Sequence, residues 1–183
     1  MSVDYIIRHA APTLAGLKTG NLFPCAFQDR SAFLKTLQAA NQVLVPRGLR
    51  LLPLRLEEAK ALLYLFRPSS LLRDLAQAQA QDILCQAGYE DTGCLPCLRE
   101  LTRRLRAREA FPHEIGLFLG YPAEDVQGFI RHRGKGCKRC GCWKVYGDEQ
   151  AAQARFDAYK RCTARYCRLR AQGATLAQLT VES

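Results

Sequence analysis

Two apolar runs of strand length, 49–56 and 61–66, flank the polar Glu57-Glu58 pair, and Pro68 closes the second. This pattern predicts a β-hairpin over about 49–66, with helix as the competing assignment for each run. A third alternating stretch, Cys142-Trp143-Lys144-Val145-Tyr146, is aromatic and β-branched and predicts a strand. Leu22-Phe23 reads as a further short strand, after a helical run with turn signals at Pro12, Gly16 and Gly20.

Elsewhere the apolar positions recur with helical spacing. A helix is predicted from Ser31, as its cap, to about Leu44, ended by Pro46 and Gly48. Another, capped by Ser69 or Ser70, carries Leu71, Leu72, Leu75, Ala76 and Ile83 and stops near Gly88. From Cys94 to about Arg108, the residues Cys94, Cys97, Leu98, Leu101 and Leu105 form one inward stripe, leaving Arg99, Arg103, Arg104 and Arg106 in water. Residues 111–130 read as two short helices broken at Gly120-Tyr121, with Pro122 opening the second and Glu124 and Asp125 in its first turn. Asp148 caps a long last helix striped by Tyr159, Cys162, Tyr166 and Leu169; Gly173 ends it before a short tail helix at 175–179. The resulting fold class is α+β: a single domain over 1–183 with a small, mostly antiparallel sheet (the hairpin plus the strand at about 142–146) packed with several helices.

At 183 residues, 48% hydrophobic and 24% charged, the chain has the composition of one folded globular domain. No stretch approaches the ~20 apolar residues that cross a bilayer, and MSVDYIIRHAAPT lacks the basic and apolar regions of a signal peptide. The cytoplasm is therefore the expected location. There, nine cysteines read as reduced thiols or metal ligands rather than a disulfide framework. Charge is distributed unevenly. Residues 131–170 hold twelve Lys or Arg against three acids, +9 of the net +10. Such a segment is either a solvated face or a field for nucleic acid, an anionic ligand or an acidic partner.

The segments HAAPTLAGLKTGNLF, FPHEIGLFLGYPAEDVQGFI and GCWKVYGD together resemble the family called domain of unknown function 3793, uncharacterised proteins of anaerobic Firmicutes. The three blocks extend from residue 9 to residue 148, nearly the whole chain. The family carries no assigned activity to transfer; the resemblance implies at most a link with iron or redox physiology. Where relatives are expected to read His-Cys-Ala-Pro-Thr, this chain has His9-Ala10-Ala11-Pro12-Thr13, so a nucleophile at that cysteine would be missing here.

Three constellations carry candidate chemistry. His113-Glu114 pairs an imidazole with a carboxylate, a combination suited to general-base catalysis or ligand binding, or simply to helix capping. It is not a zincin motif, because Leu117 stands where the second histidine belongs. Cys137-x2-Cys140 with Cys142, and less so Cys94-x2-Cys97, have the spacing of thiolate ligands for zinc or iron. Cys94 and Cys97 are equally explained as the buried face of a helix. Last, Arg131, Arg133, Lys135, Lys138 and Arg139 lie beside Trp143 and Tyr146, a basic loop next to aromatics that can neutralise phosphates and stack a base. The competing explanation for Trp143 and Tyr146 is a place in the core.

No P-loop, GxGxxG, G-x-S-x-G, RNP or helix-turn-helix signature occurs. The leading expectation is a non-enzymatic binding or accessory protein whose basic surface meets an unidentified protein or an anionic ligand. An enzyme using His113 and Glu114 on a small ligand is the alternative, and a nucleic-acid-binding protein is the third.

Overall fold

The computed structural model describes residues 1–107 and 111–182. The expected extension of the third long helix to Arg108 lies outside them. Eight α-helices, a three-stranded sheet and a two-stranded ribbon are found among the described residues, an α+β architecture. The chain forms two compact units, Met1–Ser69 with Tyr159–Ser183, and Ser70–Ala158.

The first unit contains α1 (Val3–Leu14), β1 (Gly20–Ala26), α2 (Arg30–Leu44), β2 (Arg50–Leu56) and β3 (Lys60–Phe66). The predicted hairpin is present: β2 and β3 pair antiparallel. Its third strand is β1, so the order is β1-β3-β2, with β3 central. That order follows from composition. β3 reads KALLYLF and buries Leu63 and Leu65 on one face and the stacked rings of Tyr64 and Phe66 on the other. Each edge strand carries a proline, Pro24 in β1 and Pro53 in β2, which only an edge tolerates. Beyond β2, Asn41 of α2 accepts from Leu51 N at 2.9 Å and donates to Leu51 O at 2.8 Å, satisfying the strand's outward backbone groups.

One sheet face packs with α1 and α2 around Ile6, Ile7, Leu14, Phe33, Leu37 and Leu44, and Leu176 and Leu179 complete that core. The α2 cap is Asp29 rather than Ser31: its carboxylate accepts from Ser31 N and Ala32 N, so the helix starts one residue early. Arg67 lies buried after β3 and donates to the carbonyls of Thr13, Leu14 and Val181. Residues 176–179 make turns rather than the tail helix expected at 175–179.

The second unit is mostly helical. The helix expected from 69 or 70 to 88 is two, α3 (Pro68–Leu75) and α4 (Ala78–Gln86), divided at Ala76-Gln77; Pro68 opens the first, and Gly88 lies beyond the second in a left-handed conformation. There follow α5 (Cys94–Ala107), the one-turn α6 (Ile115–Phe118) and α7 (Ala123–Arg131), with the break at Gly120-Tyr121 as predicted. The strand expected at 142–146 shortens to β5 (Lys144–Val145). It pairs only with β4 (Arg139–Cys140), in a ribbon separate from the main sheet. Asp148 caps α8 (Glu149–Ala171), as predicted.

Candidate functional site

Most of the predicted site residues fall in the second unit, along α5, the turn before α6, and the ribbon after α7. The turn separates His113 from Glu114. His113 is exposed, its ring 5.0 Å from that of Phe129 and 6.0 Å from that of Phe111. Glu114 is buried, accepting from the Tyr89 hydroxyl at 3.0 Å, with Arg104 at 3.4 Å. Arg104 also lies over the Tyr89 ring at 4.4 Å and binds Glu100 at 2.7 Å. Burial, then the neighbouring Glu114 charge, push the Tyr89 hydroxyl far above the ordinary phenol range, so it remains a donor. Adjacent in sequence, the two residues do different work: Glu114 holds a buried network, while His113 faces outward.

The outward side is a cleft. Ile83, Ala87, Pro112 and Ile130 give it apolar walls; Arg103, Arg104 and His113 bring polar groups to it, and its volume is about 560 Å³. A cleft with apolar walls and a few convergent polar groups suits a small organic ligand.

The basic loop is built around Asp125, which the sequence pattern marks only as an acid in the first turn of α7. Asp125, 2% exposed, accepts from Trp143 Nε1 at 2.7 Å, Tyr146 N at 2.7 Å and Gly147 N at 2.8 Å. Its place in the first turn of α7 suits the helix dipole, and an acid followed by a glycine-rich aromatic segment is the sequence signal for its further role. Trp143 is therefore a core side chain, stacked on Tyr121 at 4.9 Å and edge-on to Phe156 at 4.5 Å. Its indole N–H is consumed and its faces are covered, which removes it from the predicted binding surface. Tyr146 stays half-buried, stacks on His132 and donates to Lys135 O at 3.1 Å.

The cations divide into two sets. Lys138 donates to Gly147 O at 2.8 Å, and Arg139 binds Gln153 and Glu149, at 3.0 and 3.6 Å; both hold the loop to itself and to α8. Arg131, Arg133 and Lys135 are exposed and have no side-chain partner among the described residues. The backbone presents them through left-handed conformations at Arg133 (φ 51°), Gly134 and Gly136.

The cysteines differ in exposure. Cys137 is half-exposed, while Cys140 and Cys142 are exposed on the ribbon. Cys94 is half-exposed and Cys97 buried in the first turn of α5. Among the described residues, no three His, Cys, Asp or Glu side chains gather as a metal-binding group.

The family model for Protein of unknown function (DUF3793) matches residues 6–180. No curated protein and no solved structure matches the chain.

Proposed function

We propose that this chain, which belongs to the DUF3793 family, is a binding or accessory protein that captures an anionic ligand or partner at the end of α7. One observation carries the reading. Arg131, Arg133 and Lys135 stand exposed and unpaired among the described residues, at a turn whose neighbouring cations are spent on holding it in place. Cations fixed to a rigid turn lose less freedom on meeting an anion than cations on a flexible tail. The test is titration calorimetry with inorganic tripolyphosphate. Arg131, Arg133 and Lys135 changed together to Glu should abolish binding. Arg161, Arg165 and Arg168 changed to Glu impose the same change in net charge from the exposed face of α8 and should leave most of it. Equal loss in both variants would mean a diffuse field and reject the assignment.

A second reading rests on the cleft, where an exposed His113 lines about 560 Å³ of open space. Glu114, committed to Tyr89 and Arg104, is unsuited to act as the partner base, so this reading is ligand contact by His113 rather than two-residue catalysis. A fragment screen followed by nuclear magnetic resonance tests it: His113→Ala should remove the shifts of cleft residues, and unchanged shifts would reject it. The nucleic-acid reading loses its stacking platform with Trp143 and requires affinity that falls steeply with salt.

A further inference from the structure

The first turn of α5 reads Cys94-Leu95-Pro96-Cys97 and is not used by the proposed anion surface. We propose that Cys94 and Cys97 form a reversible dithiol–disulfide pair that reacts with small-molecule disulfides. Three features of the turn support this.

The spacing fits. In α-helical geometry, residues three apart in one turn have Cα atoms ~5 Å apart, inside the Cα range of a disulfide, and a small local adjustment of this first turn brings the Cβ atoms together. The two sulfurs are also differently placed. Cys94 is half-exposed, though partial burial raises its thiol and makes its attack faster at alkaline pH; Cys97 is 0% exposed and can be reached from Cys94 but not from solvent. Finally, the turn borders a depression of about 440 Å³, which Pro96, between the two cysteines, lines together with Gly88, Tyr89, Glu90, Asp91 and Arg103.

The turn also constrains the thiols. Gly93 O accepts the Cys97 amide at 2.9 Å, which seats Cys97 one turn into the helix, and Cys97 Sγ donates to Asp91 O at 3.5 Å. Burial first, then neighbouring Cys94 and Asp91, push the Cys97 thiol up to about 11. A thiol of high pKa is a poor leaving group, so a disulfide formed here is opened more slowly than one between ordinary thiols.

The reaction balances as two exchanges. Cys94 thiolate attacks one sulfur of oxidised glutathione, forming a mixed disulfide and expelling one glutathione thiolate. Cys97, giving up its proton, then attacks the Cys94 sulfur and expels the second. The protein loses two protons and two electrons, and one glutathione disulfide takes them up to become two glutathione thiols.

The whole chain is incubated with oxidised glutathione, quenched with an alkylating agent and digested with trypsin and a glutamate-specific protease. The peptide 91–99 holds Cys94 and Cys97 and no other cysteine. It should be unalkylated and lighter by two hydrogens, and restored by dithiothreitol. In Cys97→Ser the exchange should stop at a glutathione adduct on Cys94. In Cys94→Ser, Cys97 should remain unmodified while circular dichroism shows the fold intact. A wild-type peptide alkylated at both positions, or one that retains glutathione on Cys94 without closing, would overturn the proposal.

Discussion

The carboxylate of Asp125 accepts the indole N–H of Trp143 at 2.7 Å, with both side chains buried, and the same carboxylate takes the amides of Tyr146 and Gly147. One acid from the first turn of α7 thus sets the backbone path of the segment that follows β5. Replacing Asp125 with Ala leaves three donors without their acceptor. The cost expected is on the order of 3 kcal/mol, because buried donors forfeit their solvation as well as the bond. The chain's one tryptophan is Trp143, so urea unfolding followed by intrinsic fluorescence reads this change directly.

Gly128 of α7 packs under Tyr146: a Cβ there would stand 2.5 Å from Tyr146 Cγ and 2.6 Å from its Cβ. These atoms are close to the backbone and cannot swing aside. Gly128→Ala should therefore cost about 1–3 kcal/mol and shift the amide resonances of 144–147 in a heteronuclear spectrum.

Arg133 adopts a left-handed conformation that glycine occupies without steric cost. Arg133→Gly should stabilise the protein by about 1 kcal/mol while weakening tripolyphosphate binding. Thermal melts and calorimetry on one preparation test both directions; binding that is unchanged or tighter would contradict the assignment of Arg133 to the binding surface, and a lower melting temperature would contradict the conformational argument.

Acid stability should depend on Glu100. Hydrogen bonds from Arg103 and then Arg104 lower its carboxyl from 4.5 to about 2. A carboxyl whose folded pKa lies below its unfolded one stabilises the fold above the unfolded value and loses that contribution as pH falls through the folded value. The loss falls between pH 4.5 and about 2. Glu100→Gln should flatten the urea midpoint against pH in that window and leave the slope above it unchanged. The effect is small, since Arg103 is 69% exposed.

Elements set by local pattern were legible in the sequence. The hairpin, the break at Gly120-Tyr121 and the Asp148 cap each follow from a few neighbouring residues. What escaped depended on distant partners or on close competitors. Asp29 outcompetes Ser31 as a cap because its carboxylate reaches two amides at once. The strand at 142–146 shortens because Trp143 turns to Asp125, eighteen residues earlier, and no periodicity encodes that pairing. The candidate basic loop was readable as a charge cluster. Its division into structural cations and unpaired ones was not, since that depends on which carbonyls and carboxylates the fold brings near. His113 and Glu114, adjacent in sequence, were separated by a single turn of backbone.

Arg67 donates to Val181 O, and Val181 N donates to Leu14 O, joining residues more than a hundred positions apart. During synthesis the unit Ser70–Ala158 is one continuous stretch and can close as soon as it has left the ribosome. The unit formed by residues 1–69 and 159–183 cannot. Its core needs Leu176 and Leu179, so β1, β2 and β3 must wait for those residues with apolar surface uncovered. Residues 1–69 thus remain unfinished until residues 159–183 follow, and their exposure to chaperones and proteases lasts as long as translation of the residues between.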